Sequence, residues 1–180
     1  MIKEEVRTSL NEQVNAELYS AYLYLSMSAY FKNINLNGFA RWLEVQALEE
    51  LTHAMKFFNF ITERGGQAVM QPIGGPPTTW ESPLAACEEI YAHEIKVTGL
   101  IHGLLDIATL HKDYATVNFL QWFVGEQVEE ETSADAIVQK LKLVGGDGSG
   151  LLLLDQEMGL RVFTPPPGTT IIAGAAQGKA

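Results

Sequence analysis

Four stretches of this 180-residue chain, residues 2–32, 37–64, 83–112 and 114–144, repeat apolar side chains at alternating steps of three and four and contain no internal proline. That period is the signature of amphipathic helices, and four such helices of similar length can bury their stripes only against one another. The breakers fall where the reading needs them: residues 33–37, the Gly65-Gly66 pair, and Ser82-Pro83, which supplies an N-cap followed by proline at the first helical position. The turn at Lys112 and Asp113 is so short that the third and fourth helices are expected to form an antiparallel hairpin. Residues 65–82 lack any helical period and hold Pro72, Gly74, Gly75, Pro76 and Pro77. When extended, such a segment reaches roughly 60 Å, more than the ~40 Å length of a helix of about 28 residues. The expected fold is therefore all-α: a four-helix bundle with one long crossover loop, which makes the second and third helices parallel.

Beyond Val144, GGDGSG reads as a flexible break and LLLLDQEMGL as a short C-terminal fifth helix. Four consecutive leucines, Leu151 to Leu154, cannot all face one small core, so some are expected to face another subunit. One domain is expected over residues 1–162. The remainder, 163–180, rich in proline, glycine and alanine, reads as a flexible tail with no part in the core. The adjacent Ile171 and Ile172 are its one apolar feature suited to docking.

The chemistry lies in what interrupts the stripes. Helix one places Leu10, Val14, Glu17, Ala21, Tyr24 and Ser28 on one face; helix two places Leu43, Gln46, Glu50, His53 and Phe57. Helix three gives Ile90, Glu94 and Val97, and helix four Phe123, Gln127, Glu130 and Ala134. Each stripe is broken near its midpoint. Burying one ionised carboxylate costs several kcal/mol, and four together are untenable without cations to neutralise them. Glu50 and His53, three residues apart, sit one above the other on a helix face and can grip one metal ion; Gln127 and Glu130 repeat that spacing. Any single buried Glu is more often a salt-bridged or edge residue, and it is the coincidence of four that points to a metal cluster. Taken alone, Glu49 and the cluster Glu126, Glu129, Glu130 and Glu131 would be solvated, Tyr24 and Trp122 packing aromatics, and His93, His102 and His111 surface or hydrogen-bonding residues.

Charge agrees with a cationic ligand: 22 acidic against 12 basic residues give a formal charge of −10, which disfavours nucleic acid and anionic membrane surfaces. Cys87 is the only cysteine, so no intrachain disulfide is available, and no apolar run approaches a membrane span. A cytoplasmic location is the default expectation.

With these residues in view, NEQVNAELYSAYLYLSMSAYF, LEELTHAMKFF, YAHEIKVT and YATVNFLQWFVGEQVEEE resemble the four helices of bacterial non-haem ferritins, over about residues 10–158. The resemblance implies a ferritin-like bundle, a homo-oligomeric shell of 24 subunits, and iron storage with ferroxidase activity, Fe(II) being oxidised by dioxygen or hydrogen peroxide. It implies a di-iron centre of Glu17, Glu50, His53, Glu94, Gln127 and Glu130, the arrangement of ferritin-like di-iron carboxylate proteins. Glu50 would bridge two irons, Glu17 and His53 hold one, and Glu94 the other, with Gln127 or Glu130 nearby. It also implies a third iron site at Glu49, Glu126, Glu129 and Glu130, and a role for Tyr24 near the centre as an electron donor. Leu51 stands where haem-binding relatives carry a ligating methionine, so no haem is expected. Departures are confined to the tail beyond Leu160. The alternatives are a di-iron oxidase or peroxidase of rubrerythrin type, whose second Glu-x-x-His motif and cysteine quartet are absent, and a shell subunit without oxidation chemistry, which would have lost centre residues present here.

Overall fold

The computed structural model of the protein describes residues 2–165. Five helices follow in order: α1 (Glu4–Asn33), α2 (Asn37–Glu63), α3 (Pro83–Leu110), α4 (Tyr114–Val144) and α5 (Gly148–Met158). The four long helices coincide with the four periodic stretches to within two residues at each end. At the α3–α4 turn Lys112 takes a φ of 55°, and Asp113 caps α4 by accepting from the Thr116 N–H. α5 begins earlier than the leucine run because Asp147 accepts from the N–H groups of Ser149 and Gly150. Half of the glycine-rich break is thus helix. The expectation of a flexible tail concerns residues of which 166–180 lie outside the described ones, Ile171 and Ile172 among them.

Helix α1 packs on α2, α3 on α4, and α1 on α3, while α5 lies against α2 and α4. The crossover runs along α1 from one end to the other. Asn11 donates to the Gln67 carbonyl at 3.2 Å and accepts from the Val69 N–H at 2.6 Å. Further along, Ser26 donates to the Pro77 carbonyl at 2.5 Å, and Trp80 meets Tyr30 edge-on with ring centroids 5.2 Å apart. The loop therefore starts where α1 starts and ends where α1 ends, which leaves α3 parallel to α2. No helix among the described residues is long and apolar enough to cross a membrane.

The apolar core comes in two parts. One holds Met27, Phe31, Phe39, Leu43, Ile90 and Leu141; the other holds Leu10, Phe57, Ile61, Ile101, Leu120 and Phe123. Between them lies the layer of Glu17, Glu50, His53, Glu94, Gln127 and Glu130, all buried. Each apolar half holds the four helices together on one side of the polar layer.

The fifth helix docks through an approach that only glycine permits. A Cβ on Gly38 would stand 1.6 Å from the Asp155 carbonyl oxygen, and the Asp155 carboxylate accepts from the Phe39 N–H at 3.0 Å. Leu36, the residue before α2, offers no side-chain cap, so Asp155 supplies from 116 residues away the anion that the α2 N-terminus favours. Of the four leucines Leu154 is buried, whereas Leu152 and Leu153 are 57% and 67% exposed, so the run does divide between core and surface. Two substitutions test the dock: Gly38→Ala, by forcing α5 away, and Asp155→Ala, by removing the cap, should each destabilise by about 1–2 kcal/mol. Because both release the same contact, the double variant should lose distinctly less than the sum, as read from thermal or denaturant midpoints.

Candidate metal centre

The polar layer is assembled from mid-helix positions, where backbone geometry is most fixed and side chains one helical turn apart share a direction. Helices α1 and α2 bring Glu17, Glu50 and His53 together so that one ligand atom from each lies within 4.8 Å of the others, all three residues being buried. His53 Nδ1 is 3.2 Å from Glu50 Oε2, and Trp122 and Phe123 meet the imidazole edge-on with centroids 5.4 and 5.8 Å away. Gln13, one turn before Glu17, donates to its Oε1 at 2.9 Å. The other oxygen, Glu17 Oε2, is buried with no hydrogen-bond partner. An orphaned carboxylate oxygen beside a second carboxyl group and an imidazole is what a divalent cation would complete, and the donor set suits a hard ion such as iron.

Helices α3 and α4 form the other half. The Tyr24 hydroxyl donates to Glu94 Oε1, and Gln127 Nε2 lies 3.3 Å from Glu94 Oε2, from the Glu94 carbonyl and from Thr98 Oγ1. Glu130 accepts from Gln46 Nε2 at 2.8 Å. Every residue expected at the di-iron centre thus reaches this layer, and Tyr24 is part of it, beyond packing. Of the additional carboxylates, Glu126 is half-buried with Oε1 4.0 Å from His53 Nε2, Glu49 is half-buried, and Glu129 is exposed.

Burial pushes these acids up in the metal-free protein. Glu17 rises to about 8, from desolvation first and then the charge of Glu50. Glu50 lies well above the ordinary carboxyl range, again through burial and then Glu94 and Glu130, and Glu94 rises to about 7 through burial and Glu130. The Tyr24 phenol is raised by burial and by Glu94, so it remains a donor. Glu49 rises to about 7 through burial, with the nearby Arg161 pulling the other way, and burial also raises Glu126. His93, held by Ser20 Oγ at 2.8 Å, is lowered to about 4 by burial and Lys96. That is the hydrogen-bonding role its sequence position suggested.

Some residues at the layer escape the sequence reading. Gln13 was detectable as a Gln-Glu pair one turn apart. Gln46 stood on the buried stripe, yet its partner Glu130 lies 84 residues on. Arg161 gave no signal, because it follows α5 in a segment without period; its guanidinium bonds Gln46 Oε1 and Glu49 Oε2, the latter at 2.5 Å.

The family model described as ferritin-like domain matches residues 7–144. The chain belongs to the ferritin-like family. Among curated relatives of this ferritin-like chain, the bacterial non-heme ferritin of Bacteroides fragilis (strain 638R) is 44% identical over 161 residues, 89% of this chain and 100% of the relative. That of Campylobacter jejuni is 42% identical over 156 residues, covering 87% and 93%. Among solved structures, an engineered closed form of the Archaeoglobus fulgidus ferritin superposes with a TM-score of 0.90 at 55% identity, over 91% of this chain and all of that one. The open pore ferritin from the same archaeon gives 0.89 at 55%, over 90% and 100%. These relatives cover about nine-tenths of this chain, more than the residues 7–144 matched by the family model.

The raised acids give the ferritin-like fold a pH signature. A carboxyl whose folded-state pKa lies above its ordinary value of 4.5 stabilises the fold fully below that value, and the contribution is lost as pH rises, for Glu17 to about 8. The metal-free protein should therefore melt at progressively lower temperature between about pH 5 and pH 8. Glu17→Gln, neutral throughout, should flatten that slope and raise the midpoint at the alkaline end; an unchanged slope would show that Glu17 is not held protonated.

Proposed function

We propose that the chain is an iron-storage subunit with ferroxidase activity, oxidising Fe(II) at the mid-bundle centre with dioxygen or hydrogen peroxide and passing Fe(III) to a mineral inside a shell of 24 copies in the cytoplasm. The observation that carries this reading is the orphaned Glu17 oxygen among buried acids contributed by all four long helices, in a chain similar over 89% of its length to a non-heme ferritin. The exposed Leu152 and Leu153 suit an inter-subunit contact.

Iron is substrate and cargo here. Glu17 and His53 hold one Fe(II), Glu50 bridges to a second, and Glu94 holds that second ion with Gln127 or Glu130 beside it. Two Fe(II) give one electron each, which with two protons reduce dioxygen to hydrogen peroxide or hydrogen peroxide to two waters, and hard oxygen donors favour the resulting Fe(III). The protein's part is to orient and to move protons. With its pKa raised to about 8, Glu17 is mostly protonated near neutrality when empty, and Glu94, raised to about 7, about half so; binding therefore expels protons from both. Gln13 and Gln46 fix Glu17 and Glu130, and Trp122 and Phe123 keep the His53 ring in one orientation. Tyr24, bonded to Glu94, stands in position to supply an electron during oxidation. Glu49, Glu126, Glu129 and Glu130 offer a third iron site.

Glu50→Ala combined with His53→Ala should lower the initial Fe(II) oxidation rate more than about 100-fold while leaving the assembly intact, since ligand loss exceeds the effect of removing supporting residues. Stopped-flow absorbance after mixing with aerated Fe(II) reads this, and an unchanged rate would sink the assignment. Glu49→Ala or Glu129→Ala should instead leave the first turnover near its original rate and change later turnovers and oxidation stoichiometry. Iron-soaked crystals should show a third peak near Glu49, Glu126, Glu129 and Glu130; only two peaks at full occupancy would remove the third site.

A further inference from the structure

The segment leaving α5 lies along α2 in a way that iron storage does not explain. A Cβ on Gly159 would stand 3.3 Å from the Gly38 Cα, so the chain leaving α5 passes close against the start of α2. Two residues later Arg161 turns onto the same helix. Its guanidinium carbon sits 4.7 Å from the centroid of Trp42, and the fork then bonds Gln46 Oε1 and Glu49 Oε2. Trp42, Gln46 and Glu49 follow at steps of four and three and so form one stripe of α2. The Gln46 amide bonded by Arg161 on one side donates to Glu130 on the other. Arg161 is three-quarters buried and stacked on an indole, with its fork divided between the Gln46 amide oxygen and one carboxylate oxygen of Glu49, the latter a charge-assisted bond.

Of the additional carboxylates, Glu49 is the one held in an ion pair by a cation of the chain itself, with Arg161 2.5 Å from its Oε2. A metal ion and a guanidinium seek the same oxygens and cannot share them without repulsion between two positive charges. We propose that Arg161 is an internal competitor for metal at Glu49: an additional ion binds there only when the guanidinium is displaced, so the segment after α5 sets the affinity of the third site. This rests on the reading of the mid-bundle layer as a metal centre. Arg161 is a positioning residue in that scheme. It orients Glu49 directly and Glu130 through Gln46, and it reaches none of the ligands of the first two ions directly.

Zn(II), which has no redox chemistry, tests the proposal by calorimetric titration of the assembled, metal-free, full-length protein. The wild type should show two tight ions per subunit and one weaker. Arg161→Gln should tighten the weaker ion by roughly tenfold or more, the weight of a charge-assisted bond, and move the tight pair by less than about twofold. Arg161→Lys, keeping the charge but losing the fork and the stacking, should fall between, and it serves alone if Arg161→Gln disturbs assembly. Adding Glu49→Gln to Arg161→Gln should abolish the extra ion. An additional ion of unchanged or weaker affinity in the Arg161 variants, or one that survives Glu49→Gln, overturns the role of Arg161 while the tight pair still stands. Absence of the tight pair in the wild type overturns the metal centre itself, and this proposal with it.

Discussion

Burying several carboxyl groups in the middle of a helical bundle is the constraint on which the rest of this structure depends. Ionised and unpaired, they would cost more than a domain of this size can spare, since net stabilities are only about 5–15 kcal/mol. The fold meets the cost in three ways. It splits its apolar core into two halves that grip the helices on both sides of the layer. It supplies donors in Gln13, Gln46, Gln127 and Tyr24. It lets burial raise the acids until much of their charge is absent near neutrality in the metal-free state. The same devices that make the empty bundle tolerable make it receptive, because protons are exchangeable for a cation while the apolar halves hold the ligands in register.

The periphery follows from the same economy. Only glycine at position 38 lets α5 come close enough for Asp155 to cap α2, and that dock sets the direction of the chain that delivers Arg161 to Glu49. One backbone approach thus couples the segment just after α5 to the edge of the centre. Two turns after Glu49 on α2, Lys56 lies 4.0 Å over the ring of Trp122, which packs against His53, so a second cation is held near the layer by an aromatic face.

What was legible in the sequence was whatever repeats locally. The step of three and four marked α1 to α4, and Glu17, Glu50, His53, Glu94, Gln127 and Glu130 stood out because each is polar where its helix should be apolar. The crossover was legible from the absence of a period between Gly65 and Ser82, together with the length such a segment can span. Hidden were pairings with no local trace. Asp155 reads as one acid after a leucine run, and nothing near it says that its partner is the Phe39 N–H. Arg161 reads as a cation at the start of a tail; its place depends on where α5 docks, a tertiary outcome. The start of α5 at Gly148, three residues before the leucine run, is equally hidden, because the capping strength of Asp147 outweighs the low helix propensity of the glycines beside it.

The two halves of the centre differ in a way that the bare ligand set hides. Glu17, Glu50 and His53 already lie within reach of a single point, and one Glu17 oxygen has no partner, so a cation arriving there displaces protons and little else. Glu94 is engaged by Tyr24 and Gln127, and Glu130 by Gln46, so a cation on that side must take its oxygens from existing donors. The asymmetry follows from sequence: α2 offers a histidine three residues after Glu50, whereas α4 sets Gln127 three residues before Glu130. A neutral amide can donate to a neighbouring acid where an imidazole would have been a ligand. One side is therefore built as a ready chelate and the other as a hydrogen-bonded network that must open, and the Tyr24–Glu94 bond makes the phenol part of that opening.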